Sequence, residues 1–147
     1  MNHIGRKIFH LAGGLGLLSV YYVLGRERAH LFYTAFFVIV LAVDGARLII
    51  PAWNRFIFTR FGSFIRRNEE HALTGTAPFV LGIGISLYVY SPEIATAAIC
   101  FLAFGDVAAT TIGELYGRTK VGDKSLEGTI AFVVAALCAG FLLSLAG

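Results

Sequence analysis

A chain of 147 residues with 57% apolar residues, 14% charged residues and a mean hydropathy of +0.76 is too apolar for a soluble globular domain, which carries about 25% charged residues. Residues 1–147 are read as a single transmembrane domain, with no room for a separate soluble module. The net charge of +3 comes with no dense basic run, so nucleic acid is not an expected partner.

Five apolar stretches are predicted as membrane helices in an all-α, multi-pass fold. The first runs from Ile8 to Gly25. Its basic start resembles a signal peptide, but no small-x-small cleavage site follows in "RERAH", so a retained span is expected. "RKIFH" at its start puts Arg6, Lys7 and His10 together, with Lys7 and His10 three residues apart on one helix face. Flanking Arg and Lys are common membrane anchors; a histidine within the span is less ordinary.

The second span runs from Ala29 to Ile50 and ends at Pro51. Asp44 and Arg47 sit at i and i+3 near its end, a spacing that lets them neutralise each other or form a polar site. "RRNEEHALTG" follows. Glu70 and Thr74, four apart, are expected on one helix face, where with Gly75 they would hold a cation or a polar headgroup.

The third span, Thr74 to Tyr90, is short for a bilayer, which asks for roughly 20 residues. The turn "SPE" leads into the fourth span, Ile94 to Gly113, and the fifth runs from Gly128 to Ala146. Cys100 and Cys138 have no CxxC spacing and are read as buried small hydrophobes. Lys and Arg collect on one side of this five-span scheme. Arg6 and Lys7, then Arg47, Arg55, Arg60, Arg66 and Arg67, then Arg118, Lys120 and Lys124 lie there, against only Arg26 and Arg28 on the other. The positive-inside rule places the N-terminus and these clusters in the cytoplasm.

The densest pattern is "FGDVAATTIGELYGRTKVGDKSLEGTIAF", Phe104 to Phe132. Gly105, Ala109, Gly113 and Gly117 recur every four residues, a stripe that lets another helix approach closely. Asp106 costs a few kcal/mol within a span and has no basic residue at i±3 or i±4. Its partner is expected from another helix, a metal or solvent. Gly117 and Gly122 predict a flexible loop carrying Arg118, Lys120 and Lys124, cations suited to phosphates. Ser125 is placed as the N-cap of the last helix, with Glu127 and Gly128 in its first turn, an arrangement that favours anions. There is no GxxxxGK[ST], HExxH or GxSxG pattern, which excludes P-loop, zincin and nucleophile-elbow chemistry.

These motifs, with "RKIFHLAGG", "DGARLIIP" and "EEHALTGTAPFVLG" in order, resemble the dolichol kinase, phytol kinase and CTP-dependent diacylglycerol kinase family of membrane lipid kinases. Phosphatidate cytidylyltransferases carry a related pattern that usually continues to an Asp-rich motif, which does not occur here. The resemblance implies transfer of the γ-phosphate of CTP to a lipid alcohol (polyprenol or dolichol, a phytol-like alcohol, or diacylglycerol) with Mg²⁺, at the cytoplasmic face. It carries over to Arg6, Lys7, His10, Glu70, Thr74, Gly75, Asp106, Lys120, Lys124, Ser125, Glu127 and Gly128. Asp106 and Glu127 are the expected Mg²⁺ ligands, and Asp106 is alternatively the acceptor of the hydroxyl proton. Lys124 joins them as catalytic, and Arg118, Lys120, Lys124, Ser125 and Gly128 are the expected nucleotide contacts. Longer members continue with further spans; that and the small-residue stripe favour a homodimer, the alternatives being that the segment is dispensable or the chain incomplete or inactive. The rival readings are a CDP-lipid-forming cytidylyltransferase and a non-catalytic membrane carrier or assembly protein.

Overall fold

The computed structural model describes residues 4–62, 65, 69–122 and 124–146, with residues 4–6 and 146 described by their backbone alone. The elements are α1 (Ile4–Leu24), α2 (Arg26–Ile49), α3 (Pro51–Phe61), α4 (Thr76–Val89), α5 (Pro92–Tyr116), β1 (Lys120–Val121), β2 (Lys124–Ser125) and α6 (Leu126–Ala146). The all-helical, multi-pass expectation holds. Among the described residues α1, α2, α5 and α6 are long and apolar enough to cross a membrane, and α4 is a shorter apolar helix of 14 residues.

The links between helices are short and locally encoded. Gly25 joins α1 to α2 at a φ of +75°, a conformation that glycine adopts without a Cβ clash. The second helix therefore starts at Arg26, three residues before the expected span. Ser91 caps α5 by accepting the Ile94 N–H, with Pro92 in the first helical turn where its missing N–H costs nothing. Pro51 does the same for α3, a helix absent from the sequence reading, in which Pro51 served only as the end of a span. Trp53 and Phe56 stack at 5.4 Å on α3, beside Arg55 and Arg60.

The chain forms two compact units. In the first, which contains Ser19–Val89, α2 and α4 run antiparallel and bury Ala29, Tyr33, Ala77, Val80, Ile83 and Leu87. His30 of α2 contacts the Leu87 carbonyl at one end of this pair, while Asp44 meets Thr74 at the other. Gly84 brings α4 to 3.7 Å from the Tyr33 Cβ, as measured from the position a Cβ would take.

The second unit, Lys7–Leu18 with Tyr90–Gly147, is built on the antiparallel pair α5 and α6. The small-residue stripe lies in this contact. A Cβ on Gly105 would meet the Phe132 ring, one on Gly113 would come 3.0 Å from the Ser125 hydroxyl, and one on Gly128 would come 2.7 Å from the Ala109 carbonyl. The stripe is thus filled by α6 of the same chain, which removes the packing argument that tied it to a second copy. Cys100 is buried, as expected. Cys138 is not: it sits on an exposed face of α6.

Candidate functional site

The polar residues singled out in the sequence fall into two clusters, one in each unit. In the first unit the centre is Arg47, 1% exposed, beside Asp44, 4% exposed. Their i,i+3 spacing yields an ion pair, Arg47 Nε to Asp44 Oδ1 at 3.2 Å. The guanidinium also donates to the Asn54 side chain at 3.2 Å and to the carbonyls of Glu69, Glu70 and Ala72. The other Asp44 oxygen accepts both the N–H and the hydroxyl of Thr74 at 2.8 Å. The pair neutralises itself, as one sequence reading had it, and in addition fastens the segment 69–74 that leads into α4.

This geometry corrects the expectation for Glu70 and Thr74. They do not share a helix face, because α4 begins only at Thr76 and residues 69–75 form a turn. Thr74 is buried on Asp44, whereas the Glu70 side chain is exposed and its carbonyl takes the Asn54 amide at 3.0 Å. Gly75 donates its N–H to the Glu69 carboxylate at 3.2 Å. Two carboxylates thus serve the N-terminal end of α4, matching the helix dipole. Asn54 and Glu69 were missed, since their partners are main-chain groups or lie on a helix that was itself missed. Arg66 and Arg67 lie outside the described residues.

In the second unit Lys7 donates to Glu114 Oε2 at 2.6 Å, joining α1 to the last turns of α5. Its side chain is 13% exposed, so this amine is sequestered rather than displayed. Glu114 was not foreseen: it lies 107 residues away, and nothing in local spacing reports it. His10 is half-buried one turn along, its ring edge-on to Phe9. Of Arg6 only the backbone is described.

Asp106 is half-buried on α5, on one face with Thr110 and Glu114 at four-residue steps. Its backbone carbonyl accepts the Thr110 hydroxyl at 2.7 Å, but its carboxylate has no hydrogen-bond or ion-pair partner among the described residues. The predicted flexible loop is instead a hairpin. β1 and β2 pair antiparallel in the register Lys120↔Ser125 and Val121↔Lys124, turning at Gly122 with a φ of +60°. Directly paired residues share a face, so Lys120 lies with Ser125 and Lys124 lies on the opposite face with Val121. Arg118, Lys120 and Lys124 are all exposed.

Ser125 caps α6 as expected, accepting the Gly128 N–H at 3.2 Å. Both residues are buried against α5, next to Gly113, and their geometry is explained by packing. Glu127 accepts the Thr119 N–H at 3.0 Å and 3.3 Å with its two oxygens. The helix contacts put Asp106 level with Phe132 and Glu127 level with Gly113. At 1.5 Å per residue the two are separated by roughly 9 Å along the pair. Among the described residues no three His, Cys, Asp or Glu side chains converge on a point that could hold a metal.

No family model and no solved structure matches the chain. Curated relatives do. It is 32% identical over 146 residues to CTP-dependent diacylglycerol kinase 1 of Eremothecium gossypii, across 95% of this chain and 46% of that protein. The chain is similar to the CTP-dependent diacylglycerol kinases. The Saccharomyces cerevisiae kinase of that name is 31% identical over 136 residues, covering 88% of this chain and 46% of the relative. The Schizosaccharomyces pombe kinase is 31% identical over 106 residues, covering 69% and 49%. The chain therefore spans about half the length of the curated relatives it matches. This is the lipid-kinase family that the motifs of the sequence resemble.

Proposed function

We propose that this chain carries the CTP-dependent phosphotransfer chemistry of a membrane lipid kinase, with a lipid alcohol as acceptor and diacylglycerol, the substrate in the relatives' names, as the first candidate. The observation that carries the reading is the folded segment Phe104–Phe132. It joins a carboxylate on α5 that has no partner among the described residues to a hairpin that carries or adjoins three exposed cations. Phosphoryl transfer needs positioning and charge neutralisation more than covalent help from the protein.

Arg118, Lys120 and Lys124 meet the nucleotide phosphates at the membrane surface, the two lysines from opposite faces of the hairpin. Asp106 marks the reacting end, deeper along α5. Its free carboxylate fits Mg²⁺, which takes one or two carboxylates and completes its shell with phosphate oxygens and water. Bound there, the ion would neutralise charge on the transferring phosphate. The lipid hydroxyl oxygen forms a bond to the γ-phosphorus, the bond to the β,γ-bridging oxygen breaks, CDP leaves, and the hydroxyl proton passes to solvent or carboxylate. Lys7, held by Glu114, orders the end of α1 beside this path. The excess of Lys and Arg on one side of the five-span scheme supports a cytoplasmic site and five crossings, α4 included.

The test is which phosphate moves. The full chain, in lipid vesicles with diacylglycerol or an isoprenoid alcohol and Mg²⁺, is expected to place label from γ-labelled CTP in the lipid and none from α-labelled CTP. Asp106→Asn is expected to lower turnover on the order of a hundredfold and to raise the Mg²⁺ needed. Label arriving from the α position would assign a cytidylyltransferase instead. Transfer from neither position would favour a carrier.

A further inference from the structure

Glu127 was expected to bind metal, yet its surroundings suit a different task. Thr119 stands immediately before β1, and Glu127 is the second residue after β2. The Thr119 carbonyl accepts the Leu126 N–H at 3.0 Å, while the Thr119 N–H donates to the Glu127 carboxylate. Both ends of the hairpin are thus tied together at its base. The ladder itself has only two residue pairs, and an isolated two-stranded hairpin is marginal in water. What fixes the hairpin must therefore lie at this base. Ser125 anchors one strand in the α5–α6 contact, whereas beyond the ladder the strand that carries Lys120 is held, among the described residues, by the two Thr119 ties. Of these, one is main chain and the other is Glu127. Both oxygens of the carboxylate face this N–H, and no converging acidic or histidine side chains join it to form a metal site among the described residues.

We propose that Glu127 is a positioning residue: its carboxylate clasps the Thr119 N–H and fixes the hairpin that presents Lys120 and Lys124 to the phosphates of a nucleoside triphosphate. The presentation of phosphates rests on the kinase reading above; the clasp itself does not.

Trypsin reads the clasp directly, because Arg118, Lys120 and Lys124 are its cleavage sites and cleavage follows the population of the open form. In the full chain in lipid nanodiscs, Glu127→Ala is expected to speed cleavage within the hairpin about tenfold, the loss of one charge-assisted hydrogen bond. The same variant raises the KM for CTP about tenfold and leaves kcat within about twofold. Glu127→Gln, whose amide oxygen still accepts, recovers most of both effects, and the Mg²⁺ concentration for half-maximal activity stays at the wild-type value. Should Glu127→Ala fail to fold, Glu127→Asp, one methylene short of Thr119, replaces it with the same expected cleavage. A raised Mg²⁺ requirement in Glu127→Gln with cleavage at the wild-type rate overturns the clasp and restores the metal ligand. If the wild-type chain transfers no phosphate, proteolysis still decides. Faster cleavage in Ala but not Gln upholds the clasp while removing the kinase reading, and unchanged cleavage in both sinks the clasp.

Discussion

Arg47 shows how a charge is kept inside a greasy chain. The structure gives its guanidinium five acceptors, two of them side chains and three main-chain carbonyls from residues 69–72. Removing one member of a buried pair leaves the other uncompensated, at a cost of about 3–5 kcal/mol. Arg47→Met is therefore expected to lower the thermal midpoint of the detergent-solubilised protein sharply, and Asp44→Asn combined with Arg47→Met to recover part of the loss. Arg47→Lys keeps the charge but not the planar fork, and is expected to fall between them. A double variant as unstable as the sum of its parts would show that the two residues do not act as a pair. The i,i+3 spacing of Asp44 and Arg47 made their contact legible in the sequence. Their hold on residues 69–74 was not, because backbone carbonyls carry no residue signature. The same blindness explains Glu127, whose partner is an N–H, and Glu114, whose partner Lys7 lies at the other end of the chain.

Helices α5 and α6 form the tightest contact among the elements, and the four-residue stripe predicted it well except for its partner. The period of small residues announces that a helix will come close and is silent on which one. Substitution tests the contact by degree. Gly128→Ala sets a Cβ against the backbone of α5, which cannot swing aside, and is expected to cost about 1–3 kcal/mol in thermal unfolding. Gly105→Ala meets only the Phe132 ring and costs less, since a side chain can turn. Gly16→Ala meets nothing and is expected to be neutral or slightly stabilising. Equal effects at all three positions would contradict this packing. Helix α3 and the hairpin were illegible for another reason. Proline ends one helix and begins the next with equal ease, and two glycines flanking lysines read as mobility until a ladder is seen.

At the scale of the molecule, hydropathy and charge placement carry nearly all the legible information. Hydropathy gives the apolar helices and their order, because a bilayer demands length, and the placement of Lys and Arg gives the expected orientation. Reporter fusions after Gly147 and within 117–122 are expected to sit on opposite sides of the membrane, the N-terminus sharing the side of the hairpin. Signals from the same side would remove α6 as a crossing, and an N-terminus on the side opposite the hairpin would remove α4.

Helix α4 spans 14 residues, about 21 Å at 1.5 Å per residue, against about 30 Å of hydrocarbon. Tilting makes a short helix shorter in projection, so tilt cannot close a gap of roughly 9 Å; a crossing by α4 is expected to thin the bilayer around it. In that case a thinned annulus would draw headgroups toward the midplane beside the turn 69–75 that leads into α4. A glycerolipid there presents its polar end below the mean surface of the leaflet. With α4 as a crossing, the shortfall of one helix would make membrane thickness a variable of this protein: a thicker, sterol-rich bilayer resists the dimple more than a thin one, and the protein is expected to favour the thinner membrane.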